Sequence, residues 1–328
     1  MAVPADDASA APGYDGSAAL RDAVANTWPP PTDPPDDPLD AVRLGPETVR
    51  RYLARHGLQA RHDLGQNHLV DRPTLEAIVA AAAPMPGRRV LEVGPGLGIL
   101  TAALLRRGAA VTAVEYDARL AAHLRDRFGP ALARGAGDAT APAGLRLIEA
   151  DILDLDVHDL VAPPYDLIAN LPYHITSPVF HRFLGADARP ERLVLMLQRE
   201  VAERVASPPG GMSYLSVFVQ YHARVEIARV VPATAFEPAP QVDSAVLAGT
   251  VVPRRLTAPA ESELWGLVQA AFRERRKMLH NVLARQLPAA LRPRVPAALA
   301  AAGIAGDRRP QTLALDEWLA LAAALARP

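Results

Sequence analysis

The apolar and polar positions divide the 328-residue chain into three stretches. Between residues 89 and 252, short apolar runs alternate with longer segments of helical period. Residues 89–93, 110–114, 145–149, 165–169 and 193–197 are apolar runs bounded by polar or Gly-rich residues, and read as buried parallel strands. Helices are predicted over 99–107, through about 127, and from 198 to 206. Two more helices, 47–56 and 73–83, precede the first strand. Residues 214–221 and 245–252 are predicted as further strands forming an antiparallel edge. This alternation predicts an α/β fold with a mainly parallel, doubly wound sheet. From Pro253 the pattern turns helical. Residues 264–283 are predicted as one amphipathic helix, with Leu264, Val268, Phe272, Leu279 and Leu283 on one face. Arg273, Arg276, Lys277 and His280 fall on another. Gly303, Pro310 and a helix over 313–325 complete a small all-helical domain. Residues 1–45 are rich in Pro and Asp, bury too little apolar surface to fold, and read as a disordered tail. The predicted division is therefore 1–45 tail, 46–252 catalytic domain and 253–328 helical domain.

Charge adds a partner class. The net charge of −1 conceals eight Asp against two Arg in residues 1–45, and twelve Arg or Lys against six Asp or Glu in residues 253–328. A basic end on a balanced globule predicts a polyanion partner. The chain has no Cys, which excludes disulfides and thiolate nucleophiles or metal sites. No apolar run reaches the length of a membrane span, and no signal peptide is read at the acidic start. The expectation is a cytoplasmic monomer without metal or membrane contact.

Candidate chemistry gathers at predicted strand ends. Gly94-Pro95-Gly96-Leu97-Gly98 follows the first strand, where glycines let backbone approach a ligand. Glu115 ends the second strand, 21 residues after Gly94, and suits a ribose diol. Asp151 follows the third and suits an adenine amino group. These features admit either a dinucleotide or S-adenosylmethionine, although the G-x-G-x-G spacing does not suit a pyrophosphate. Asn170-Leu171-Pro172-Tyr173 follows the fourth strand. Pro172 disfavours helical geometry at Leu171, so the Leu171 carbonyl is held extended. An adenine N6 amine is a poor nucleophile because its lone pair is delocalised into the ring. Two acceptors, Asn170 Oδ1 and the Leu171 carbonyl, would localise that pair and aim it at a methyl donor. Tyr173 would stack on the base, an interaction worth about 1–3 kcal/mol. Phe236, in a Pro-bounded loop, would close the other side. Gln66 and Asn67, just before a helix, are either turn formers or ligand contacts.

These ordered motifs resemble the ribosomal RNA adenine N6-dimethyltransferases of the small-subunit (KsgA, or RsmA) type. The resemblance runs from about Arg61 to the C-terminus. It rests on LGQN-L at 64–69, EVGPGLG at 92–98, Glu115, Asp151, NLPY at 170–173, FEPAPQVDSAV at 236–246 and FRERRKMLHN at 272–281. It implies a class I, Rossmann-like methyltransferase sheet with S-adenosylmethionine as methyl donor and an RNA-holding helical domain. The implied substrate is 16S rRNA within the 30S subunit, dimethylated at two adjacent adenosines of its 3′-terminal hairpin loop late in assembly. The implied cofactor contacts are Asn67, Leu69, Gly94, Glu115, Asp151 and Asn170, with Gly96 in the same turn. His68 departs from the usual Phe, His174 from the usual Asn and Met278 from a frequent Thr. Two other readings stand beside this one. A 23S rRNA methyltransferase of the macrolide-resistance type shares the sheet and N-x-P-Y, but the 236–246 loop and 272–281 segment look like the small-subunit type. A non-catalytic assembly factor would not need intact NLPY, Glu115 and Asp151.

Overall fold

The computed structural model describes Leu39 and residues 44–84, 86–129, 131–132 and 144–327. The predicted tail therefore lies almost wholly outside the described residues, and so do the Gly- and Ala-rich residues 134–144, which the sequence predicts as a loop, apart from Gly144. Leu39, assigned to the tail, is buried in the same apolar cluster as Val49 and Tyr52.

The elements run α1 (Pro46–Arg55), β1 (His68–Leu69), α2 (Arg72–Ala82), β2 (Arg89–Val93), α3 (Ile99–Arg106), β3 (Ala110–Glu115), α4 (Ala118–Arg127), β4 (Leu145–Glu149), α5 (Val157–Leu160) and β5 (Asp166–Asn170). They continue as α6 (Thr176–Gly185), β6 (Arg192–Gln198), α7 (Arg199–Val205), α8 (Tyr214–His222), β7 (Ala223–Val231), β8 (Phe236–Glu237) and β9 (Ser244–Val251). Helices α9 (Ala258–Phe272), α10 (Leu279–Gln286), α11 (Val295–Ala301) and α12 (Leu315–Ala326) close the chain. The seven-stranded sheet has the order β4-β3-β2-β5-β6-β9-β7, with β9 antiparallel to β6 and β7. Its five parallel strands are the five read from the sequence.

Residues alternate across this sheet. Val90, Val111, Ala113, Ile168 and Val194 enter one apolar cluster with α2 and α3. Leu91, Val93, Val114, Leu167 and Leu195 enter the opposite one with α6 and α7. Strands β2, β3, β5 and β6 are thus covered on both faces, which is why they read as apolar runs, while β4, at the sheet edge, leaves Arg146 and Glu149 exposed. Strand order reverses between β2 and β5, so their carboxyl ends border a crevice. The glycine turn leaves one end and Asn170 the other.

Three predicted elements are corrected. Residues 214–221 form α8 rather than a strand, and the edge partner of β9 is β7. Ser213 caps α8 in a capping box with Ser216, a local preference that overrides the β-branched and aromatic composition. The helix is also buried on two sides: Phe218 and Val219 join the sheet cluster, while Val217 and Tyr221 join the C-terminal one. Burial all round erases the amphipathic period. Residues 264–283 are two helices, not one. The Leu279 N–H donates to the Arg308 carbonyl at 2.7 Å and the His280 N–H to Gly306 at 3.0 Å, diverting the bonds a continuous helix would need. Ser177 followed by Pro178 predicts a helix capped at Ser177, whereas α6 begins one residue earlier, at Thr176.

The amino end of the sheet is tied by one carboxylate. Asp166, 1% exposed, accepts from Arg88 Nε (2.9 Å) and Nη2 (2.6 Å) and from Arg192 Nη2 (2.8 Å). This joins the start of β2 to β5 and β6. Removing one member of a buried ionic group leaves the others uncompensated. Asp166→Ala is expected to lower the unfolding free energy by about 3 kcal/mol, read from urea denaturation with an unchanged slope.

Candidate active site

A cavity of about 290 Å³ lies in the crevice at the strand-order reversal. Its lining includes Asn67, Leu69, Gly94, Gly96, Glu115, Asp151, Asn170, Leu171, Pro172, Tyr173 and Phe236. The structure thus brings together all the catalytic and cofactor candidates. The basic residues Arg273, Arg276, Lys277 and His280 are not in its wall.

The glycine turn forms one side. Gly96 has φ +61° and Gly98 φ +78°, both in the left-handed region. At Gly98 a Cβ would also stand 2.5 Å from Phe128 Cε2, so this position caps α3 only as glycine. The buried Glu115 carboxylate accepts the Gly96 N–H at 3.0 Å and the Asp117 N–H at 2.9 Å. Each oxygen keeps a second lone pair, so a ribose diol adds to these bonds rather than replacing them. Burial raises the Glu115 pKa, while the two backbone donors oppose the rise. Asp151 Oδ1 accepts the Leu153 N–H at 2.8 Å, which orients its carboxylate at the end of β4.

The other side is the Asn170 segment. Asn170 Nδ2 donates to the Asn67 carbonyl at 3.3 Å, fixing the amide so that Oδ1 remains the accepting end. The Leu171 side chain is buried and its N–H donates to Met196 at 3.2 Å. No described donor occupies the Leu171 carbonyl. Pro172 follows at φ −55°, ψ 133°. Tyr173 is half-buried, and its hydroxyl shares a 2.9 Å hydrogen bond with Ser244 Oγ, which holds the ring in place. Phe236 reaches the cavity because β8 pairs antiparallel with β1, setting Phe236 opposite Leu69.

Three residues have roles that the sequence does not assign: Gln66, which it leaves open between turn former and ligand contact, Ser244 and Glu92. Gln66 Nε2 donates to Asp117 Oδ2 at 3.0 Å, and Gln66 Oε1 accepts the Arg61 N–H at 2.8 Å. It is a clamp rather than a mere turn former. Arg119, then Gln66, hold the Asp117 carboxyl well below the usual range. Ser244 carried no signal beyond its place after Phe236. Glu92 is fully buried beneath the glycine turn and accepts from Thr101 Oγ1 at 2.7 Å. Burial pushes its pKa up to about 8, Thr101 opposes this, and the Glu115 charge adds to it.

The basic cluster is rearranged. Arg273, Arg276 and Lys277 sit in the exposed turn between α9 and α10 instead of along one helix face. Arg273 Nη1 donates to Gln286 at 3.2 Å, and Arg275 Nε to Gln311 at 3.0 Å. Glu274 is drawn across to Arg285 and Gln286. His280 is the second residue of α10 and its Nδ1 donates to the Gly306 carbonyl at 2.7 Å. Among the described residues, Arg276 and Lys277 have no side-chain partner.

The cavity chemistry fits S-adenosylmethionine. Acid acceptors stand at the ends of β3 and β4 for the ribose and the adenine amine, and the turn between them is glycine-lined. Asn170 lies across the crevice, where a methyl acceptor would approach.

Comparison with known proteins agrees with this geometry. The ribosomal RNA adenine dimethylase family model matches residues 57–326. Ribosomal RNA small subunit methyltransferase A of Anaeromyxobacter sp. (strain K) is 41% identical over 285 residues, covering 83% of this chain and 95% of that protein. The protein of the same name from Dehalococcoides mccartyi is 38% identical over 274 residues, covering 82% and 90%. Among solved structures, the 23S rRNA methyltransferase ErmE matches with a TM-score of 0.62 and 30% identity, over 80% of this chain and 100% of that one. A dimethyladenosine transferase from Plasmodium falciparum shares the fold, with a TM-score of 0.63 and 24% identity over 77% and 95%.

Glu92 gives this site a stability signature. Its folded pKa lies near 8 and its unfolded value near 4.5, so the folded chain keeps a proton that the unfolded chain releases. Stability is therefore lost as pH rises between those values. In Glu92→Gln this loss disappears. Its advantage over the parent chain is expected to widen by several kcal/mol between about pH 5 and pH 8 in chemical denaturation.

Proposed function

The chain belongs to the ribosomal RNA adenine dimethylase family, and from that premise we propose that its substrate is small-subunit rRNA. It is an S-adenosylmethionine-dependent rRNA adenine dimethyltransferase. The finer reading is that it dimethylates N6 of two adjacent adenosines in the 3′-terminal hairpin loop of 16S rRNA, within the 30S subunit, late in assembly. It acts as a cytoplasmic monomer in this reading. Among the described residues, no helix is long and apolar enough to cross a membrane. The observation that carries the proposal is the identity of 38–41% with small-subunit methyltransferases over more than four-fifths of the chain. The large-subunit enzyme ErmE stands at 30%.

The roles follow from the geometry. Bound S-adenosylmethionine supplies an electrophilic methyl group. Asn170 Oδ1 and the Leu171 carbonyl accept hydrogen bonds from the N6 amine, drawing the lone pair out of ring conjugation. The Asn67 carbonyl holds Asn170 in the accepting orientation, and Pro172 holds the Leu171 carbonyl extended. Tyr173, fixed by Ser244, and Phe236 bracket the base. Catalysis is then chiefly positioning, and no strong base is needed before transfer. A flipped base must first be unstacked, which favours a loop substrate. Arg273, Arg276 and Lys277 meet RNA phosphates from the α9–α10 turn, with His280 at its edge.

Purified protein with labelled S-adenosylmethionine is expected to methylate undermethylated 30S particles and not 50S precursors. Label confined to large-subunit rRNA would reverse the assignment, and tight 30S binding without label would favour an assembly factor. Asn170→Ala should bind the cofactor within a few-fold of the parent while methyl transfer falls about 100-fold or more. The pair Arg276→Ala and Lys277→Ala should weaken RNA binding and make the log–log salt slope shallower by about 2, leaving cofactor affinity unchanged.

A further inference from the structure

His68 lines the cavity and is only 6% exposed, yet its Nε2 meets no hydrogen-bond partner. Buried ring nitrogens are ordinarily paired, so an orphan in a cavity wall points to a ligand that completes it. The Nδ1 edge faces the glycine turn: a Cβ on Gly96 would stand 3.5 Å from it. Burial lowers the imidazole pKa to about 4, so the ring is neutral at physiological pH. The carboxyl groups in the same cavity wall are Glu92, Glu115 and Asp151.

Its neighbours define what it meets. Asn67, one residue before it, gives its carbonyl to Asn170 at the methyl-accepting side. Gly96, against its ring, gives its N–H to Glu115 at the ribose side. The imidazole therefore stands between the ribose end and the methyl end of the site. In S-adenosylmethionine the atom joining those two ends is the positively charged sulfur.

We propose that His68 selects the charged methyl donor over the spent cofactor by turning a ring-nitrogen lone pair toward the sulfonium. S-adenosylhomocysteine, an uncharged thioether, gains nothing from that lone pair. His68 thus favours exchange of product for fresh donor between successive transfers. The inference rests on the cavity holding S-adenosylmethionine.

Isothermal titration of the full chain with S-adenosylmethionine and S-adenosylhomocysteine tests it. In His68→Leu the ratio of the two Kd values, product over donor, is expected to fall about five- to tenfold. His68→Gln keeps an acceptor and should retain most of the ratio. Sinefungin, which carries an amine in place of the methylsulfonium, should weaken with the donor in His68→Leu. A ratio unchanged in His68→Leu, or equal losses for both ligands, would overturn the role of His68 while leaving the cofactor site intact. Failure of the parent chain to bind either ligand would overturn the cofactor reading and this inference with it.

Discussion

The site depends on the placement of one buried carboxylate. Glu115 ends β3 and receives N–H groups from Gly96, in the turn after the neighbouring strand β2, and from Asp117, at the start of α4. It adds a side-chain tie to the backbone bond from the Gly94 N–H to the Val114 carbonyl, which already joins the glycine turn to the end of β3. From Asp117 the network continues to Gln66, and the next residue, Asn67, accepts from Asn170. Hydrogen bonds in a low-dielectric interior are stronger than in water, and members of a connected set reinforce one another. The cofactor side and the amine-holding side are therefore built as one framework before any ligand enters. That is what catalysis by positioning requires.

The substrate side is assembled by distant segments. The two-residue ladder between β1 and β8 brings Phe236 to Leu69, and β9 brings Ser244 to Tyr173. Both contacts come from the stretch between the two antiparallel edge strands, Phe236 from β8 and Ser244 from the first position of β9. The edge strands thus extend the sheet and also carry one wall of the base pocket. Ring positions set by strand pairing and by a hydroxyl bond are less mobile than rings borne on an unpaired loop.

Much of this was legible in the sequence because parallel strands covered on both faces announce themselves as unbroken apolar runs. The five runs were found, and the polar residues at their ends mark the cavity: Gly94, Glu115, Asp151 and Asn170. What misled was local composition where tertiary contacts decide. Residues 214–221 look like a strand because an all-round buried helix loses its period. The Arg273–Lys277 run looks like a helix face because sequence spacing cannot show that Gly306 and Arg308 claim the backbone bonds. The roles of Gln66, Ser244 and Glu92 were not legible for a related reason: their partners Asp117, Tyr173 and Thr101 are identified only by the folded chain. Resemblance to a family supplied the donor and the RNA, which strand-end chemistry alone had left open between two cofactors.

Helix α8 serves two apolar clusters at once. Phe218 and Val219 belong to the sheet side, while Met212, Val217 and Tyr221 around them belong to the core of α9 to α12. The C-terminal helices are accordingly not a detachable cassette. Grafting them from another methyltransferase to change RNA choice would have to carry the facing side of α8 along. A cut placed at the apparent boundary after β9 would strip water-excluding neighbours from Val217 and Tyr221. Within this architecture, substrate range is therefore easier to alter through the exposed turn between α9 and α10, whose side chains bear little of the packing, than by exchanging the helices that present it.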